Sequence, residues 1–208
     1  MTTADAVEEA EIIRMGGVDL YGYRRARGAG YMHAELVEIA KASGDLYGYR
    51  VARAAGHTHT ECVEIAAAGG DLYGYREARD AGHTHTECVE IAAAGGDLYQ
   101  YRRARAAGRS HVELVEIADA GGMVGYREAR DAGYSHAELV EIAKAGGDLY
   151  GYQAARAAGV AHATIVDAVT VHGLPAGLLS GFLSRMRRAP DADPATVVFE
   201  TVAGVPHG

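Results

Sequence analysis

Between residues 44 and 95 one pattern of apolar and polar positions is written twice. GDLYGYRVARAAGHTHTECVEIAAAG at 44–69 is followed directly by GDLYGYREARDAGHTHTECVEIAAAG at 70–95, with two differences. The period of 26 is set by Asp19, Asp45, Asp71 and Asp97, and Asp148 follows after two further units that sum to 51. One unit has therefore lost a residue; it is the one after Gly122, where the DLY triplet becomes Met123-Val124. Six units begin near Asp19, Asp45, Asp71, Asp97, Met123 and Asp148, and Ala4 to Met15 precedes them as a half unit of one helix.

Within a unit the apolar spacing is helical. In the first segment the positions of Val51 and Ala54 change from copy to copy and mark the solvent side, with Tyr47 between them. Gly48, Ala52 and Gly56 form a small-residue ridge opposite, with Tyr49 beside it, which predicts close helix approach there. In the second segment Cys62, Ile65 and Ala66 form an apolar stripe. Asp45 is a candidate N-cap for the first helix, and Gly56 stands where a left-handed C-terminal residue is wanted. The second helix has the stronger start signal. Thr58 and Glu61, Thr84 and Glu87, Ser110 and Glu113, and Ser135 and Glu138 each have capping-box spacing. It ends at Gly69-Gly70.

Helices of about ten residues are marginal alone, and a two-helix unit cannot bury its apolar face without a neighbour. The units are therefore expected to stack. On this two-helix repeat the chain, over residues 4–173, resembles the α-solenoid class of tandem helical repeats, the group that contains the tetratricopeptide, HEAT and armadillo arrays. Its 26-residue unit is shorter than theirs and lacks their signature motifs, so the resemblance implies architecture and no functional residue. The expected fold is all-α, a right-handed solenoid of about six helical hairpins. An N-terminal cap helix occupies 1–18, the repeats 19–173, and a C-terminal helical cap or docking tail 174–208.

That tail holds all four Pro and both Phe. It reads as a helix from Ala176 to Arg188 and a shorter one with Asp193 as N-cap and Pro194 as first residue. Phe182 and Leu183 are expected to cover the end of the stack. The alternative is a partner-docking or homodimerising tail with a basic edge at Met186, Arg187 and Arg188.

Composition narrows the class. The chain has 28 Gly but only 4 Pro, with a hydrophobic fraction of 49%. That is enough for a packed core and excludes a low-complexity linker; most of the Gly recur in the phases of Gly48, Gly56, Gly69 and Gly70. A net charge of -8 disfavours a protein that wraps nucleic acid by neutralising phosphates. No run reaches the roughly 18 apolar residues of a membrane span, and the Glu-rich start does not resemble a signal peptide. Cys62 and Cys88 alone make no disulfide framework. A cytoplasmic location is the expectation.

Three residue sets are candidates for function. The first is a histidine ladder, His33, His59, His85, His111, His136 and His162, read as hydrogen-bonded ties between units. A metal ladder is the competing reading, because His57-Thr58-His59-Thr60-Glu61-Cys62 has donor atoms for zinc or copper. Against it, Cys62 lies in the apolar stripe and is Leu36, Leu114 or Leu139 elsewhere. The second set is the exposed Tyr phase, Tyr21, Tyr47, Tyr73, Tyr99 and Tyr150, flanked by Arg ladders such as Arg50 and Arg53. The third is the position between the helices, Tyr31, His57, His83, Arg109, Tyr134 and Val160, where variety suits either a modular reader or an unconstrained loop. There is no nucleophile elbow, phosphate loop or unique carboxylate pair, and a residue repeated six times does not make one reaction centre.

The expectation is thus a non-enzymatic scaffold, with no cofactor and no metal, that binds a protein, peptide or elongated ligand. Nucleic-acid reading through the Arg ladders, or acidic mimicry of DNA through the Glu phases, is the alternative.

Overall fold

The computed structural model describes residues 3–15, 19–43, 45–175, 178–188 and 192–203; at 3–5, 179, 180, 183 and 187 it describes the backbone alone. Among the described residues every regular element is an α-helix, and none is long and apolar enough to cross a membrane. The helices form two compact units, residues 1–102 and 103–208.

The first unit contains α1 (Thr3–Met15), α2 (Leu20–Gly28), α3 (His33–Ala42), α4 (Leu46–Ala54), α5 (His59–Ala67), α6 (Leu72–Asp80) and α7 (His85–Ala93), and ends within α8 (Leu98–Ala106). It is a two-layer stack. One layer is α1, α3, α5 and α7 packed in sequence, the other α2, α4 and α6. The second unit repeats the scheme with α9 (His111–Asp119), α11 (His136–Lys144), α13 (His162–Thr170) and α15 (Pro194–Ala203) in one layer. The other layer holds α10 (Tyr126–Asp131), α12 (Leu149–Ala157) and α14 (Leu179–Arg188). In each unit the arrangement is that of a helical-repeat solenoid.

Local chemistry explains each element. The first helix of a hairpin starts at an Asp whose carboxylate accepts from the backbone: Gly48 N–H donates to Asp45 at 2.7 Å, and Gly151 N–H to Asp148 at 2.6 Å. The second starts at the predicted boxes. Glu61 N–H donates to the Thr58 hydroxyl at 3.2 Å, while the Glu61 carboxylate accepts from Thr58 N–H at 2.8 Å, and Thr84, Ser110 and Ser135 repeat the arrangement. Both helices stop in the same way. Gly56 N–H donates to Arg53 O and His57 N–H to Ala52 O, with Gly56 at φ +96°. This is a Schellman turn.

The Gly pairs after the second helices serve two purposes. Gly69 takes the left-handed turn at φ +86°. Gly70 is buried, and a Cβ there would meet Ala92 Cβ and Ile65 Cγ2 at 3.0 Å. The second Gly therefore lets successive second helices close up.

The small-residue ridge is as expected only in part: a Cβ at Gly22 would stand 3.5 Å from Leu46 Cβ on the next first helix. Gly56 is exposed. At Gly48 the nearest obstacle to a Cβ is the Asp45 carboxylate, so this Gly clears room for the cap more than for a neighbouring helix. Where Gln100 replaces Gly, its N–H still donates to Asp97 at 2.7 Å; the small residue is favourable but not required.

In the hairpin at 44–69 the first helix buries Leu46, Tyr49 and Ala52 and the second Cys62, Ile65 and Ala66, and most of their counterparts are buried elsewhere. The shortened hairpin keeps this core by sacrificing the first turn of α10. Met123 is buried, Val124 is 57% exposed, and Gly125 turns left-handed at φ +82°.

The tail is a seventh hairpin. α14 packs on α12, α15 on α13, and the two on each other. Phe182 is fully buried in the position of Tyr152: Leu179-Ser180-Gly181-Phe182 is the Leu-Tyr-Gly-Tyr motif without its hydroxyphenyl groups. Asp193 caps α15 as expected, accepting from Thr196 N–H at 3.1 Å. Of the expected basic edge, Met186 is buried and Arg188 exposed, while the side chains of Leu183 and Arg187 lie outside those described. Ala176 also lies outside the described residues.

Candidate functional site

The buried Tyr of each first helix is the centre of a repeated polar chain. Tyr49 Oη lies 3.1 Å from His59 Nδ1, and His59 Nε2 lies 3.0 Å from a carboxylate oxygen of Glu38 on the preceding second helix. The same chain joins Tyr23, His33 and Glu11; Tyr75, His85 and Glu64; Tyr126, His136 and Glu116; and Tyr152, His162 and Glu141. In neutral imidazole one nitrogen donates and the other accepts. The chain is satisfied when the Tyr hydroxyl donates to Nδ1 and Nε2–H donates to the carboxylate. Four histidines thus tie hairpin to hairpin, His33 ties the first hairpin to α1, and the sixth, His111, opens α9. The half unit α1 takes part by supplying Glu11.

Chemically this chain is a brace. Burial pushes the phenols of Tyr23, Tyr126 and Tyr152 up to about 12, and raises Tyr49 and Tyr75 likewise. A phenol held protonated in a core is neither nucleophile nor base at neutral pH.

The HTHTEC segment does not converge on a point. His57 packs on the Tyr75 ring with centroids 4.9 Å apart, and His59 is bonded at both nitrogens. Cys62 is fully buried, which pushes its thiol up to about 11. Among the described residues no cluster of three His, Cys, Asp or Glu could hold a metal ion.

The Arg ladders divide into two sets. One faces the preceding hairpin: Arg27 meets Glu8 at 2.9 Å, Arg130 meets Glu113 at 3.2 Å, and Arg156 meets Glu138 at 3.5 Å. Arg53 and Arg79 approach Glu35 and Glu61 at 3.9 Å. The capping-box carboxylate thus also receives a guanidinium of the next hairpin. Backbone N–H donation from the N-cap residue holds Glu61, Glu113 and Glu138 below the usual carboxylate range.

The loop position turns out to be a packing position. Tyr31 lies against Tyr49 at 5.5 Å between centroids, His83 against Tyr101 at 5.0 Å and Tyr134 against Tyr152 at 5.4 Å, each pair T-shaped. Arg109 pairs with Asp131 at 2.7 Å. These residues are half-buried; they lean on the next hairpin and are not a free reading edge. The sequence signal was available in chemistry more than in identity, since Tyr, His and Arg all present flat faces that suit an aromatic ring.

What remains outward is the second Tyr phase. Tyr21, Tyr47, Tyr73, Tyr99 and Tyr150 are 66%, 55%, 46%, 46% and 54% exposed. Four of the rings carry a guanidinium within cation–π range: Arg25 over Tyr21 and Arg50 over Tyr47 at 5.4 Å, Arg76 over Tyr73 at 5.0 Å, and Arg102 over Tyr99 at 5.5 Å. At the equivalent of Tyr150 + 3 stands Gln153, which donates to Gly125 O at 3.3 Å instead. No protein-family model and no curated protein matches the chain.

Proposed function

We propose that the protein is a non-enzymatic binding scaffold of the tandem two-helix repeat type, with a 26-residue unit, that recognises a protein or peptide through its exposed Tyr and Arg row. The supporting observation is a difference between two Tyr phases. Tyr49 and its counterparts are buried in the core, whereas Tyr47 and its counterparts remain exposed on α2, α4, α6, α8 and α12. Tyr and Arg dominate binding hot spots because each offers large contact area with a polar end. The inner Arg set favours a polypeptide over nucleic acid as the partner, since its guanidinium groups already face Glu8, Glu35, Glu61, Glu113 and Glu138.

The test is affinity capture with the full chain and with a variant carrying Ala at Tyr21, Tyr47, Tyr73, Tyr99 and Tyr150. Loss of specific partners with helicity retained is the expected result, and equal recovery rejects the Tyr face. Salt-sensitive binding to duplex DNA would favour the nucleic-acid reading instead.

A further inference from the structure

The ligand class can be narrowed from geometry, resting on the Tyr face proposed above. Tyr21, Tyr47 and Tyr73 occupy one register position, the second residue of α2, α4 and α6, and these helices pack side by side. Packed helices stand about 8–10 Å apart, which sets the expected interval of the rings, and Tyr99 follows one 26-residue step further along the sequence.

An extended strand presents one face about every 7 Å. An α-helix presents one about every 5.4 Å, and alternate turns at about 11 Å fall outside the ring interval and drift further with each ring. A polyproline II helix rises about 3.1 Å per residue with three residues per turn, so one face returns about every 9.3 Å. That lies within the interval that helix packing sets for the rings.

Charge supplies a second constraint. Arg76 is paired with Glu77 and Asp80, and Arg102 with Glu77. Arg25 and Arg50 have the Tyr21 and Tyr47 rings as their partners and no carboxylate among the described residues. A ligand lying along the row meets two guanidinium groups that no acid among the described residues neutralises.

We infer that the row binds a polyproline II segment with proline at every third residue and acidic residues between. Each proline ring lies on one Tyr, and carboxylates meet Arg25 and Arg50. Such a segment is pre-ordered, so docking costs little conformational entropy, as in other aromatic grooves that take proline-rich chains.

The experiment is isothermal titration of the full chain with three synthetic peptides. One has six Pro-Ala-Glu triplets, one has the same composition shuffled so that Pro does not recur every third residue, and one has Lys in place of Glu. The triplet peptide is expected to bind at least about tenfold more tightly than either control. The Tyr47→Ala/Tyr73→Ala variant should weaken it by about tenfold or more with unchanged far-ultraviolet circular dichroism, because both rings are exposed. Equal affinity for the shuffled peptide, an unaffected double variant, or no binding of the triplet peptide overturns the inference. If capture still depends on the five Tyr while the triplet peptide fails, the face stands and only the ligand class falls. If capture is independent of them, both fall.

Discussion

His85 Nε2 lies 2.6 Å from the Glu64 carboxylate of the preceding hairpin, and the other ring nitrogen lies 3.0 Å from Tyr75 Oη. One imidazole thus joins two layers and two hairpins. Where the helices have nine or ten residues, as α3, α5, α6 and α7 do, such joints connect elements that are too short to be stable alone.

Tyr75→Phe removes the hydroxyl and leaves His85 Nδ1 without its partner. A net hydrogen bond is worth about 1 kcal/mol, and urea denaturation should show a loss of that size. In a double-mutant cycle, His85→Ala and Glu64→Gln should be non-additive by about 0.5 kcal/mol or more; additive effects would remove the joint from the account.

Thr84→Ala deletes the oxygen that accepts from Glu87 N–H at 3.2 Å. Loss of an N-cap costs about 1 kcal/mol. Thr84→Ser should restore most of the thermal midpoint, since the hydroxyl and not the methyl accepts the bond.

Gly122 is limited by contact. A Cβ there would stand 2.6 Å from Ala143 Cβ and 2.7 Å from Ile117 Cδ1. Gly122→Ala should destabilise by about 1–3 kcal/mol through overpacking. The compensating Ala143→Gly should recover part of that loss, and a double variant no better than the single one would refute the contact.

Alkaline pH should unfold the protein early. Tyr23, Tyr126 and Tyr152 are raised to about 12 by burial, and Tyr49 and Tyr75 are raised as well, against an ordinary value near 10. Their stabilisation is complete below pH 10 and is lost as pH rises, because the unfolded chain ionises first. The lowered Glu61, Glu113 and Glu138 act in the opposite direction; their contribution is present above the ordinary carboxylate range and disappears as pH falls below about 4.5. A stability profile flat from pH 8 to 12 would contradict the buried Tyr assignment.

The repeat made much of this legible in the sequence. Thr58 and Glu61 recur at one spacing, so the cap is a local signal, and Val51 varies while Ala52 does not, so the faces separate. Contacts between hairpins are harder to read. Tyr31 and Tyr49 touch across eighteen residues, and the loop position changes its residue type while keeping its role, so variation resembles freedom. The seventh hairpin was hidden because Leu179 stands thirty residues after Leu149, not 26, and because Ser180 and Phe182 remove the two tyrosines that identify the motif. Spacing alone does not show that the Asp45 carboxylate also lies over Gly48.

Each brace described takes its carboxylate from the preceding second helix, so the hairpin at 44–69, which receives Glu38 and offers Glu64, presents the same joint on entry and exit. Two consecutive units, 44–69 and 70–95, are almost identical in sequence. Recombination between such copies adds or deletes one whole hairpin without creating a junction the fold has not already used. Evolution can therefore lengthen or shorten the outer Tyr row one ring at a time, and the span of the ligand proposed for it becomes a heritable quantity that changes in single steps.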